Sequence, residues 1–168
     1  MIRWCALLVA VVVAGCGAET AAPPPQDGYI PDGERVSPFD DSSVAVRKLD
    51  PDLLRAVRAA AKDAAADGIE VGITSGWRSA DYQRRLLADA VHRYGSLDEA
   101  RRFVSTPDKS EHVVGKAVDI GPTDAADWLI RHGDDYGLCQ AYANEMWHFE
   151  LLTDPGGECP RARTDATG

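Results

Sequence analysis

Ser110-Glu111-His112-Val113-Val114-Gly115-Lys116-Ala117-Val118-Asp119-Ile120 is the stretch whose reading decides the fold. Its second half alternates as a half-buried strand does: Val118 and Ile120 face a core, Ala117 and Asp119 face a cleft. His112 and Asp119 are seven residues apart. A straight strand would hold them roughly 23 Å apart at ~3.3 Å per residue. They can meet only if the chain reverses between them, and Gly115 is where reversal costs least. Downstream, Glu145-Met146-Trp147-His148 leads into Phe149-Glu150-Leu151-Leu152, a second strand-like run with Glu145 in the turn before it. Brought together, these segments offer two imidazoles and a carboxylate to a metal ion, with a second carboxylate beside it. Three protein ligands leave one tetrahedral position open, as in catalytic rather than structural zinc sites. The pattern points to a hydrolase.

Working outward, Asp50 as N-cap and Pro51 at the first position open a helix with Leu53, Leu54, Val57 and Ala61 on its apolar face, closed at Asp67-Gly68. Ile69 to Ile73 alternates as a strand and delivers Trp77-Arg78 at its end. Ser79 caps a helix to about Arg93, with Leu86, Leu87, Ala90 and Val91 inward, and His92 on it. Ser96-Leu97-Asp98-Glu99 fits a capping box before a short helix. Thr123 to about Arg131 is a further helix, with His132 at its end, where a cation suits the dipole. Helices and short strands intermix without a βαβ series, so the fold expected is α+β. It should be a small, mainly antiparallel sheet with flanking helices and the metal site at the sheet cleft.

Ser-x-His-x-x-Gly-x-Ala-x-Asp at 110–119 and Glu-x-x-His at 145–148 follow Ser75-Gly76-Trp77-Arg78-Ser79, with Gln83 four residues beyond. Together these motifs resemble the zinc D-alanyl-D-alanine carboxypeptidases of the VanY type, a family that also includes D-Ala-D-Ala dipeptidases and some cell-wall endopeptidases. Trp77 stands where the family has Tyr. The likeness runs from near Ile69 to Leu152. It implies one zinc ion per chain on His112, Asp119 and His148. It makes Glu145 the general base and Arg78 the stabiliser of the oxyanion. Ser110 and Gln83 would donate to the terminal carboxylate of the substrate. The implied reaction is D,D-carboxypeptidase hydrolysis of peptidoglycan stem peptides ending in D-Ala-D-Ala. A dipeptidase or an endopeptidase on the same site is the alternative. A non-catalytic zinc-containing wall-binding module is the rival of a different class, and Glu145 and Arg78 weigh against it, because a binding domain needs no base beside its metal. Trp77 and Trp147 flank site residues and either wall the cleft or pack in the core.

The 168 residues leave room for one domain, and 45% hydrophobic content is ordinary for a chain with a core. A formal charge of −9 argues against nucleic acid, because phosphate binding needs a basic face. Arg3 followed by the apolar run Trp4–Ala14 reads as a targeting segment, since a membrane span needs about 20 residues. Val13-Ala14-Gly15-Cys16 resembles a bacterial lipobox. The expected layout is a lipoprotein-type signal peptide over 1–15, lipidated Cys16 with a Pro-rich tether to 43, the peptidase domain over 44–160, and a frayed polar tail over 161–168. The protein would be exported, held to the membrane through the lipid alone, facing the cell wall and monomeric. With Cys5 in the signal and Cys16 lipidated, Cys139 and Cys159 remain as a pair in an oxidising compartment, predicting a disulfide around Glu145 and His148.

Overall fold

Asp50 caps the first long helix as its sequence suggests, its carboxylate accepting from the amides of Asp52 and Leu53 at 2.9 and 3.4 Å. The helix runs Pro51–Ala66 (α2) and buries Leu53, Val57, Ala60, Ala61 and Ala64. A computed structural model describes residues 22–167. The expected signal segment, Cys5 and Cys16 lie outside the described residues. The remaining helices are Val44–Arg47 (α1), Ala80–Tyr94 (α3), Leu97–Arg101 (α4) and Thr123–His132 (α5). The strands are Gly72–Ser75 (β1), Ala117–Gly121 (β2), Leu138–Tyr142 (β3) and Glu145–Leu151 (β4). They form one antiparallel sheet in the order β1-β2-β4-β3. The fold is α+β.

One face of the sheet carries Ile73, Val118, Ile120 and Phe149 against the apolar sides of α2 and α5, and this is the core. Asp119 and His148 therefore come to the other face, where α3 and the segment after α4 border the cleft. Ser79 and Ser96 cap α3 and α4, their hydroxyls accepting from the amides of Tyr82 and Glu99. No helix among the described residues is long and apolar enough to cross a membrane.

Four expectations change. Ordered packing begins well before Val44: Ile30 and Pro38 are buried, and Val36 bridges to Ile73. The segment read as tether is thus in large part a strap over the domain, because it carries enough apolar side chains to bury. The first strand starts at Gly72 and not Ile69, because the Ile69 amide still closes on the Ala64 carbonyl of α2. On α3 only Gln83 and Ala90 are buried, while Leu86, Leu87 and Val91 are half-buried, since this helix borders the cleft and not the core. The segment after Pro160 is not frayed: Arg163 exchanges backbone hydrogen bonds with Ala141 and Ala143 at 2.9 and 2.7 Å along the free edge of β3.

Candidate active site

Asp119 and His148 are direct partners across β2 and β4, so strand pairing alone sets their side chains next to each other. His112 arrives from the loop before β2. Gly115, at φ +76°, turns the chain there, and its carbonyl accepts from the Asp50 amide at 2.8 Å. Two bonds then clasp that loop to the Ser75–Ser79 element: His112 Nδ1 donates to the Gly76 carbonyl at 2.8 Å, and the Arg78 amide donates to the His112 carbonyl at 3.1 Å. Gly76 has to be glycine because a side chain there would run into the Ala45 carbonyl.

Among the described residues, His112, Asp119 and His148 form a buried group whose donor atoms all lie within 4.8 Å of one another. His112 Nε2 and His148 Nδ1 are 3.2 Å apart, and Asp119 Oδ1 is 3.3 and 3.1 Å from them. The outward nitrogens are both engaged: His112 Nδ1 by Gly76, and His148 Nε2 by Glu150 Oε1 at 3.1 Å. Each imidazole therefore aims its remaining nitrogen at the same point. Two imidazoles and a carboxylate so oriented fit a divalent, zinc-like cation with a fourth position open.

Charge in the cluster is coupled. Burial, reinforced by the Arg78 cation, lowers His112 to about 4, so this imidazole is neutral. Burial also pushes His148 down, but its hydrogen bonds to Asp119 and Glu150 outweigh that and raise it to about 9. Burial raises Asp119 too, yet the two imidazoles and Arg78 hold its carboxylate well below the usual range. The one charged imidazole of the pair is thus His148, and a metal cation would replace its extra proton.

Glu145 is where the sequence reading needs correcting: it lies in β4, not in the turn before it. Tyr142 and Glu145 pair across a two-residue Ala143-Asn144 loop, a hairpin lacking the Asn-Gly signature that usually marks one. Its carboxylate is 3.9 Å from His148 Nδ1, and Oε1 has no hydrogen-bond partner among the described residues. Burial pushes its acidity up to about 7, with His148 partly opposing. An unpaired carboxylate poised near neutrality beside a cation site has the properties of a general base.

Arg78 donates to Asp119 Oδ2 at 2.8 Å, to Ser75 Oγ at 2.7 Å and to Gln83 Oε1 at 3.2 Å. Three of the five N–H groups of its guanidinium are used, and two remain. Gln83 is fully buried, with its amide nitrogen donating to the Ser105 carbonyl at 2.9 Å, so its bonds hold Arg78 in place. Ser110 is buried at the cleft wall. The cleft measures about 400 Å³ and includes Leu86, Tyr94, Phe103, Tyr142 and Trp147 in its lining. Trp147 therefore walls the cleft. Trp77 packs away from it, under the Lys48 ammonium at 3.7 Å. His92 and His132 take no part in the site.

The carboxypeptidase family VanY, D-alanyl-D-alanine carboxypeptidase, matches residues 46–153. The chain belongs to this family. All the residues discussed above from Gly76 to Glu150 fall inside the matched span. A D-alanyl-D-alanine carboxypeptidase of Enterococcus faecalis is 27% identical over 114 residues, which is 53% of this chain and 42% of that protein. YodJ of Bacillus subtilis is 34% identical over 151 residues, 76% of this chain and 54% of YodJ. The chain thus spans about half the length of these relatives. A vancomycin-resistance D,D-pentapeptidase, VanY, solved in complex with Zn(II), superposes with a TM-score of 0.59 at 23% identity, over 62% of this chain and 73% of that one. At that identity the VanY likeness speaks for the fold.

Two residues beside the cluster escaped the sequence reading: Glu150, against His148 Nε2, and Arg163, whose Nη2 donates to Glu150 Oε1 at 3.0 Å. Glu150 was legible in principle, because it follows His148 by two residues and a strand puts both on one face. Arg163 carried no such signal.

Proposed function

We propose that this chain is a zinc D,D-carboxypeptidase that removes the terminal D-Ala from peptidoglycan stem peptides. The observation that carries the reading is the convergence of His112, Asp119 and His148 within 4.8 Å, beside a buried Glu145 carboxylate with an unpartnered oxygen. His112 Nε2, Asp119 Oδ1 and His148 Nδ1 would hold one zinc ion. Bound there, zinc supplies Lewis acidity and makes water a competent nucleophile near neutral pH.

The chain's own residues do the rest. Glu145, half ionised near pH 7, takes the proton from water and returns it to the leaving amine. The two uncommitted N–H groups of Arg78 face developing negative charge, and its bonds to Asp119, Ser75 and Gln83 hold the guanidinium still, so little reorganisation is needed. Ser110 and the remaining donor capacity around Gln83 serve the terminal carboxylate of the substrate. Trp147, Tyr94 and Phe103 shelter the cleft from bulk water. The active form is a monomer, exported and tethered through a lipid on Cys16, which places the site at the cell wall.

Mass analysis of products from a purified stem pentapeptide tests this. Release of one D-Ala, with much slower cleavage of the C-terminally amidated peptide, is expected, because an unmatched buried carboxylate site penalises the uncharged terminus. Fast hydrolysis of the amidated form, or a larger fragment from cross-linked wall, would make the enzyme an endopeptidase. Activity confined to free D-Ala-D-Ala would make it a dipeptidase.

A further inference from the structure

His148 must present Nδ1 to the centre, although free imidazole commonly carries its proton on either nitrogen. The structure contains a device that decides between them. Nε2 points away from Asp119 and meets Glu150 Oε1 at 3.1 Å, and the same oxygen accepts from Arg163 Nη2 at 3.0 Å. The Glu150 side chain is 8% exposed and that of His148 5%, so neither finds water as a substitute partner. Arg163 comes from the segment beyond Cys159, which lies along β3. Its guanidinium sits 4.4 Å from the Tyr142 ring centroid, and that ring is 4.9 Å from the His148 ring. Cys139, bonded to Cys159, is paired with Glu150 across β3 and β4. The disulfide thus pins the start of the Arg163 segment to the strand position opposite Glu150.

We propose that Glu150 and Arg163 are positioning residues for the metal centre: Arg163 holds the Glu150 carboxylate against His148 Nε2–H, so that His148 offers Nδ1 as its ligand atom. A buried carboxylate is costly without polar partners, and Arg163 Nη2, at 3.0 Å from Oε1, supplies one beside the His148 ring. Without Glu150, the proton can move to Nδ1 and block ligation, and the ring can swing on its side-chain torsions. Arg163 is in this sense part of the centre, although it touches neither metal nor substrate. The inference rests on the zinc reading above, but it predicts a ligand geometry, not a substrate.

Zinc affinity of the full chain, measured by competition with a chromophoric chelator, tests it alongside the imidazole ¹H–¹⁵N spectrum of the zinc-loaded protein. Glu150→Ala should lose roughly 10- to 100-fold in zinc affinity, the range for outer partners of metal-bound histidine. Glu150→Gln, whose amide oxygen still accepts, should keep most of it. Arg163→Ala should weaken binding by a smaller factor, and Arg163→Lys should recover most of that loss, a rescue that a merely structural role does not provide. The parent spectrum should show a slowly exchanging Nε2–H on His148 that Glu150→Ala loses. Parent-like zinc affinity in both alanine variants overturns the proposal, as does a zinc-loaded parent with the proton on Nδ1. Where Glu150→Ala fails to fold, the Arg163 pair decides alone, because that side chain is 42% exposed and its removal leaves no cavity. A parent chain that binds no zinc overturns the zinc reading and this inference together, whereas the other failures overturn the inference only.

Discussion

Glu145→Gln should make the metal-free protein more stable at alkaline pH while removing its activity. Glu145 is 7% exposed, with one oxygen unpaired. Burial raises it from 4.5 to about 7. The folded-state value lies above that of the unfolded chain, so the contribution of the protonated carboxyl is complete below pH 4.5 and is lost as pH rises through 7. At about 1.4 kcal/mol per pH unit, the rise corresponds to about 3 kcal/mol of lost stability by pH 8, nearer 2 after screening by water in the open cleft. Glutamine has similar shape and does not titrate, and every other group in the cluster is common to both proteins. Urea unfolding in excess chelator should therefore find the variant about 2 to 3 kcal/mol more stable than the parent at pH 8 and close to it at pH 4. Parallel stability curves, or a variant weaker at pH 8, would refute the account of Glu145 as a strained buried carboxylate. Loaded with zinc, the same variant should keep stoichiometric metal and lose at least roughly 100-fold in rate, the usual scale for a general base. If the metal is lost with the carboxylate, Glu145 is a ligand.

Three further outcomes are expected. Because His148 is raised to about 9 and must give up its proton to ligate, zinc binding at pH 7 should release about one proton or more, with affinity falling about tenfold per pH unit on acidification; calorimetry in buffers of different ionisation enthalpy reads this directly, and zero release goes against it. Reducing Cys139–Cys159, which are 20 residues apart, should cost about 3 kcal/mol in denaturant unfolding and weaken zinc retention, and a loss under about 1 kcal/mol argues against the clamp. Gly115→Ala puts a Cβ 2.6 Å from the Lys48 carbonyl at φ +76°, so it should destabilise by at least about 2 kcal/mol and weaken zinc binding, and parent-like thermal unfolding sinks the argument for that turn.

The convergence of His112, Asp119 and His148 was legible because each sits in a local pattern with a physical meaning. Gly115 marks the reversal that lets His112 and Asp119 meet, and the alternation of Val118 and Ile120 with Asp119 fixes which face the carboxylate takes. The caps of α2, α3 and α4 were equally local, because a side-chain oxygen there satisfies amides two or three residues away. Glu145 was placed in the wrong element, since Ala143-Asn144 carries no strong turn signal and the hairpin depends on pairing with β3. The strap over residues 25–43 was misjudged because a Pro-rich, polar segment buries little unless a surface is ready to receive Ile30 and Pro38.

Composition and spacing were enough to determine the α+β class, the donor set and the Cys139–Cys159 pair, because strand period, turn chemistry and ligand type act within a few residues of chain. Tertiary structure alone decided how those donors are held. Asp119 faces His148 only through the β2–β4 register, Arg78 and Gln83 meet only when α3 folds over the cleft, and Arg163 reaches Glu150 only along the edge of β3. These contacts join residues whose proximity no local preference encodes. They form because an otherwise unpaired charge or amide in a buried site costs more than the chain loses by ordering itself around it.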